Sequence, residues 1–189
     1  GAQLFKADLT DKLVVGTLLK LWAHNDVTDQ WDDITGAAVL TTGNGDFWNF
    51  CVAADTVIIT NGKNGIYKWA WTGDMAVLAG SPPTYAKDCL FFTNHLCVYG
   101  TNSSPQRVAW PDLGTIEGWA TGTYGDEDAG GEDEILKAIH HRGNVLIAKR
   151  RSFVEQTYIG GNRVFRFDVV EPAHGTIAGK SVVSLGASV

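Results

Sequence analysis

"ADTVIITNGKNGIYKWAWTG", residues 54–73, decides the fold. A short β-branched run is followed by a polar turn and then a second short run ending on aromatics, which is a hairpin signature. Asn61-Gly62 and Asn64-Gly65 supply residues that accept the positive φ of tight turns. Three more segments share this form: residues 11–36, residues 86–102 ("AKDCLFFTNHLCVYGTN") and residues 141–161 ("HRGNVLIAKRRSFVEQTYIGG"). Their starts lie roughly 30 to 55 residues apart, a range that overlaps the blade lengths of β-propellers. The chain therefore reads as a degenerate hairpin repeat.

Helical signals are few. Residues 132–139, "EDEILKAI", hold two turns at most and run straight into "HHRGNVLIAKR", so they read as strand or a short turn. Residues 163–172 alternate Val164, Phe165, Phe167, Val169 and Val170 with Arg and Asp, the pattern of a half-exposed strand, which Pro172 ends. Many short antiparallel strands must close, sandwich or repeat radially to protect their edges. The expected fold is all-β and β-propeller-like, built of irregular short antiparallel hairpin blades; a β-sandwich is the alternative. Residues 1–189 are expected to form a single propeller-like domain belonging to a larger propeller. The N-terminus begins inside a hairpin-like unit, and "AGKSVVSLGASV" stops where another strand is due. The Gly-Ala start reads as processed or trimmed.

Composition narrows the function. Of 189 residues, 44% are apolar and 19% charged, a globular mix too apolar for disorder. The 22 Gly and 7 Trp fit short strands joined by tight turns. A net charge of −6 argues against a general nucleic-acid binder, which carries a basic excess. No apolar run approaches the ~18 residues of a membrane span, and no signal peptide is visible. Cys51, Cys89 and Cys97 sit in apolar runs without CxxC spacing and read as buried reduced thiols.

Catalytic patterns are absent. Neither GxSxG nor a P-loop occurs. His140 and His141 are adjacent and point to opposite faces of a strand, while His24, His95 and His174 lie in separate segments. Cys97 and His95 share a strand face and read as half-buried packing rather than a dyad. Residues 126–134 gather Asp126, Glu127, Asp128, Glu132, Asp133 and Glu134 without EF-hand spacing. This stretch reads as a solvated loop, with a calcium site as the alternative. No cofactor is expected. Lys149, Arg150 and Arg151, with Arg142, Arg163 and Arg166, form a basic cluster. Three readings stay open: a subunit contact with Asp126 and Asp128 of a neighbouring copy, a phosphate contact, or a solvated turn.

"PQRVAWPDLGTIEGWA", residues 105–120, holds Arg107, Trp110 and Trp119 in one short connection. Trp110 is expected to end a strand, with Pro111-Asp112 turning the chain. Trp119 is expected to fold back and seal a gap between sheets. Arg107 would stack on an indole or pair with a carboxylate. Sugar stacking on Trp69, Trp71, Trp110 and Trp119 is the alternative use of these aromatics.

With the acidic loop, the hairpin "NVLIAKRRSFVEQTYIG" and "HGTIAGKSVV", this stretch resembles a recurring pattern of tailed-phage tail-nozzle or tail-hub proteins. These are the packaged-DNA stabilisation and tail-tubular proteins that plug the tail end of the portal. "NGKNGIYKW" and "GSPPTYAKDCLFFTNHLCVYG" are also similar to elements of that family, so the likeness spans most of residues 48–185. Pro111 departs from the family's usual Ser, and family members are much longer. The resemblance implies a non-enzymatic virion protein of the tail, assembled in the host cytoplasm. Its partners would be copies of itself and phage tail or portal proteins. DNA would pass nearby without sequence-specific binding, and no membrane would be involved. A carbohydrate-binding propeller module is the alternative function, and a propeller glycosidase a third, disfavoured because most acids crowd one Gly-rich loop.

Overall fold

The computed structural model describes residues 2–7, 10–43, 46–131, 133–171 and 174–183, with side chains from residue 12 onward. Among the described residues, sixteen strands form four sheets in chain order, each an antiparallel four-stranded meander. The first sheet holds β1 (Ala2–Ala7), β2 (Thr10–Gly16), β3 (Leu21–Asn25) and β4 (Gln30–Asp33). The second holds β5 (Asn49–Ala53), β6 (Thr56–Thr60), β7 (Tyr67–Trp69) and β8 (Ala76–Val77). The third holds β9 (Ala86–Phe92), β10 (His95–Thr101), β11 (Arg107–Trp110) and β12 (Gly125–Asp128). The fourth holds β13 (Ile135–His141), β14 (Asn144–Lys149), β15 (Phe153–Tyr158) and β16 (Phe165–Glu171). The first and fourth sheets each have four strands. Pro172 and residues 184–189 lie outside the described residues, and Gly179–Ser181 forms one 3-10 turn. Among the described residues, no helix is long and apolar enough to cross a membrane.

Alternation along the strands explains how the sheets stack. Three apolar clusters appear among the described residues, each shared by consecutive sheets. Val14, Leu21 and Ala23 of the first sheet meet Phe50, Val57, Ile59 and Trp69 of the second. Ala53 and Ile58 of the second meet Cys89, Leu96, Val98 and Ala109 of the third. Cys97, Tyr99, Val108 and Trp110 of the third meet Val145, Ile147, Val154 and Phe165 of the fourth. The third sheet is thus covered on both faces, so every residue of β10 is buried and the strand reads as a near-continuous apolar run. Among the described residues, none of the clusters joins the first sheet to the fourth, and no sheet closes on itself. The fold is all-β and propeller-like, an arc of four blades whose first strands β5, β9 and β13 lie side by side.

The turns between first and second strands carry the repeat most clearly. Ala54-Asp55, Thr93-Asn94 and Arg142-Gly143 all have both residues at positive φ, the two-residue hairpin geometry that matches strand twist. The turn chemistry read at Asn61 and Asn64 works differently. Gly62 has positive φ but Gly65 does not, and Asn61 Oδ1 instead accepts the N–H groups of Lys63 and Asn64. Thr93 is the costliest of the tight-turn residues, since a β-branched side chain is rare at its φ of 45°. Thr93 is also exposed, so its side chain contributes little packing. Thr93→Gly is expected to stabilise the chain by about 1 kcal/mol, a rise in Tm of about 2–4 °C in a scanning calorimeter.

Candidate functional site

The two tryptophans of residues 105–120 work on opposite faces of the third sheet. Trp110 ends β11 as expected, and Pro111 is buried behind it. The Trp110 indole meets Phe165 of the fourth sheet edge-on, 4.9 Å between centroids, and its N–H donates to Thr123 O at 2.9 Å. The ring lies over Gly125, its cross-strand partner, where a Cβ would fall 2.3 Å from Cζ2. Trp119 folds back into the cluster between the second and third sheets and donates to Ile116 O at 2.9 Å. Asp112 holds the intervening loop: its Oδ1 accepts from Leu113 N, Thr123 N and Thr123 Oγ1. Those donors keep its carboxyl below the usual range.

The acidic stretch is built rather than loose. Asp126, Glu127 and Asp128 belong to β12, and Glu132 lies outside the described residues. Arg107 pairs with Asp126 at 2.7 Å, Gln106 Nε2 donates to Asp128 at 2.8 Å, and Arg163 reaches Glu127 at 3.6 Å. Lys149 is fully buried; its ammonium donates to Gly130 O and lies 3.5 Å from Asp133. Glu134 accepts from Lys87 at 2.9 Å and from the Arg150 guanidinium. Arg151 is exposed and gives its backbone N–H to Asp133. Within the chain Lys149 and Arg150 meet Asp133 and Glu134, while Asp126 and Asp128 are held by Arg107 and Gln106.

A second constellation was not foreseen. Asn49 of β5, Asp88 of β9 and Lys137 of β13 face one another where the three first strands converge. Lys137 Nζ donates to Asp88 Oδ1 at 2.9 Å and to Asn49 Oδ1 at 3.2 Å. Asp88 Oδ2 accepts the Ala138 N–H at 2.8 Å, and Asn49 Nδ2 donates to Lys87 O at 2.8 Å. Lys180 reaches in from the C-terminal segment, donating to Asn49 Oδ1 at 2.6 Å and to Trp48 O at 3.2 Å. A cavity of about 840 Å³ opens here, lined by Asn49, Asn61, Lys87, Glu134, Arg150 and Lys180 among others. An ionisable residue inside an apolar strand run, as in "KDCLFF" and "ILKAI", was the available signal. Nothing local marks Lys180, whose partner is 131 residues away.

The remaining candidates are dispersed. His95 is fully buried rather than half-buried; it packs on Phe165 and hydrogen-bonds Thr93 O, while Cys97 accepts from Gln156. Burial pushes the Cys97 thiol up to about 12, far from a nucleophile's range. All three cysteines are free thiols, with Cys51 only half-buried. Among the described residues, no three His, Cys, Asp or Glu side chains gather as a metal-ligand set. Trp69, Trp110 and Trp119 are buried, and only Trp71 of the four proposed stacking indoles is partly open. No protein-family model matches the chain, and no curated protein matches it.

Trp110→Ala is expected to cost about 3–5 kcal/mol in urea unfolding, and Trp119→Ala a similar amount. Because they fill different sheet-to-sheet gaps, their effects should add within about 0.5 kcal/mol. Acid should also weaken the fold through Glu134, which Arg150 and then Lys87 hold below the usual glutamate range. A carboxylate with a lowered folded value contributes stability above its unfolded pKa of about 4.3 and loses it as pH falls through the folded one. Glu134→Gln should flatten the fall in Tm on acidification below about pH 4.3.

Proposed function

We propose that this chain is a non-enzymatic structural module of a phage tail nozzle or hub. It packs around the tail axis with copies of itself and with neighbouring tail or portal proteins, helping to retain and release packaged DNA. The observation that carries this reading is the open arc: the first and fourth sheets each keep one face that no other sheet covers. On the first sheet that face carries Val15, Trp22 and Trp31, the last 44% exposed. On the fourth it carries Ile139, Leu146 and Val170 beside the charged Glu155 and Asp168. Exposed apolar sheet faces mark contact surfaces.

Charge supports a head-to-tail arrangement. The β3–β4 hairpin has Asp26, Asp29, Asp32 and Asp33 with no Lys or Arg between residues 21 and 33. The fourth sheet presents Arg142, Arg163 and Arg166. Opposite charge at the two ends favours a heterologous contact between copies, the kind that generates rings. The net charge of −6 suits a surface beside moving DNA, because phosphate contacts would add salt-dependent sticking.

Mass photometry at micromolar concentration tests the assembly. Wild-type chain should give defined oligomers. Trp31→Glu copies and Arg163→Glu/Arg166→Glu copies should each stay monomeric alone yet pair when mixed, since one intact contact remains between them. Monomers at every concentration, or variants that fail to pair on mixing, would contradict the head-to-tail contact. Absence of the chain from purified virions by mass spectrometry would contradict the tail assignment.

A further inference from the structure

The cavity beside Asn49 combines two features that structural packing leaves unexplained. One is uncompensated positive charge. Lys87, Arg150 and Lys180 line the cavity with Glu134, and the Lys137–Asp88 pair lies beside them. Lys137 takes Asp88, while Lys87 and Arg150 share Glu134. Lys180 makes no salt bridge among the described residues, and both of its hydrogen bonds go to neutral oxygens. Asp46 also lines the cavity, but it is paired with Lys63 at 3.5 Å. With Lys63 counted against Asp46 and Lys137 against Asp88, two positive charges remain in excess at this one place, in a chain whose net charge is −6.

The other feature is an orphaned donor. Asn61 lines the same cavity and is 5% exposed. Its Oδ1 is fixed by the N–H groups of Lys63 and Asn64, so the opposite end of the amide is Nδ2, and that nitrogen is buried without an acceptor. A buried donor left unpaired costs about 1–3 kcal/mol, so a site that retains one usually has an acceptor to receive it. Burial, and then the nearby Lys137 charge, press the Lys180 ammonium below its ordinary range. A bound anion would relieve both strains.

We propose that the cavity between the first strands of the second, third and fourth sheets binds a phosphate group. Lys180 supplies the principal counter-charge, Arg150 and Lys87 lie on the same lining, and Asn61 Nδ2 donates to a phosphate oxygen. An excess of two positive charges matches a phosphate dianion, and guanidinium and ammonium donors suit its oxygens. The cavity is large enough for a phosphate carried on a larger molecule. This site stands whether or not the chain assembles into rings.

Isothermal titration calorimetry of the full chain with inorganic phosphate at low ionic strength tests it. Saturable one-site binding is expected. Lys180→Met should weaken it at least tenfold and Lys180→Arg should keep it within about threefold, while Arg151→Met, outside the cavity lining, should leave it unchanged. Arg150→Met, whose side chain is exposed, carries the test if Lys180→Met fails to fold, and should also weaken binding tenfold. Phosphate should raise Tm more than chloride at matched ionic strength. Competition by a short single-stranded oligonucleotide would assign the phosphate to nucleic acid, and lack of competition to a free phosphorylated molecule. No saturable heat, equal affinity in Lys180→Met and Arg150→Met, or an equal chloride effect would overturn the site.

Discussion

A four-stranded antiparallel sheet must bury at least one apolar face to be stable, and burying the second stabilises it further. That constraint organises this molecule. The third sheet, like the second, has both faces covered: it lies between the second on one side and the fourth on the other. Trp119 fills the first gap and Trp110 the second, so one connection of the chain seals both. Gly125 follows as a consequence, because the Trp110 ring occupies the space a side chain would need. The first and fourth sheets have one buried face each, and their outermost strands are the most open: β4 is exposed throughout and Val169 and Val170 of β16 are about half exposed.

Apolar packing alone leaves the relative alignment of stacked sheets loosely set. Asn49, Asp88 and Lys137 supply the missing directionality, since each comes from a different sheet and their hydrogen bonds fix one alignment. Buried charge pairs of this kind add little net stability against an apolar replacement, yet breaking one side is costly. Their role here is alignment. Placing them where the first strands converge also leaves polar groups facing a cavity, which is where the excess positive charge collects.

Much of the fold was legible because β-hairpins are local. Hairpins at β9–β10 and β14–β15 follow from short apolar runs around polar turns, and strand endings at Trp110 and Glu171 agree with the sequence pattern. The packing roles of Trp110 and Trp119 and the pairing of Arg107 with a carboxylate were also readable, since a short connection with bulky aromatics must bury them nearby. Other features depend on contacts the sequence does not encode locally. Thr93 and Ala54 adopt positive φ because strand twist demands it, against their own preference. Residues 126–128 look like a loop in composition but are a strand, because β11 offers them a partner edge. Lys149 looks like part of an exposed basic turn, yet the carbonyl of Gly130 and the carboxylate of Asp133 draw it inside. The joint at Asn49, Asp88, Lys137 and Lys180 gathers residues from four distant segments, so only the folded chain brings it together.

Native-state hydrogen exchange measured by NMR tests the central claim most directly, that stability is graded by how many faces of a sheet are covered. Slowest exchange is expected in β6, β9, β10 and β11, whose sheets are covered on both faces, intermediate rates in β14, and fastest rates in β4 and β16. Amides of β10 exchanging as fast as those of β4 would contradict it.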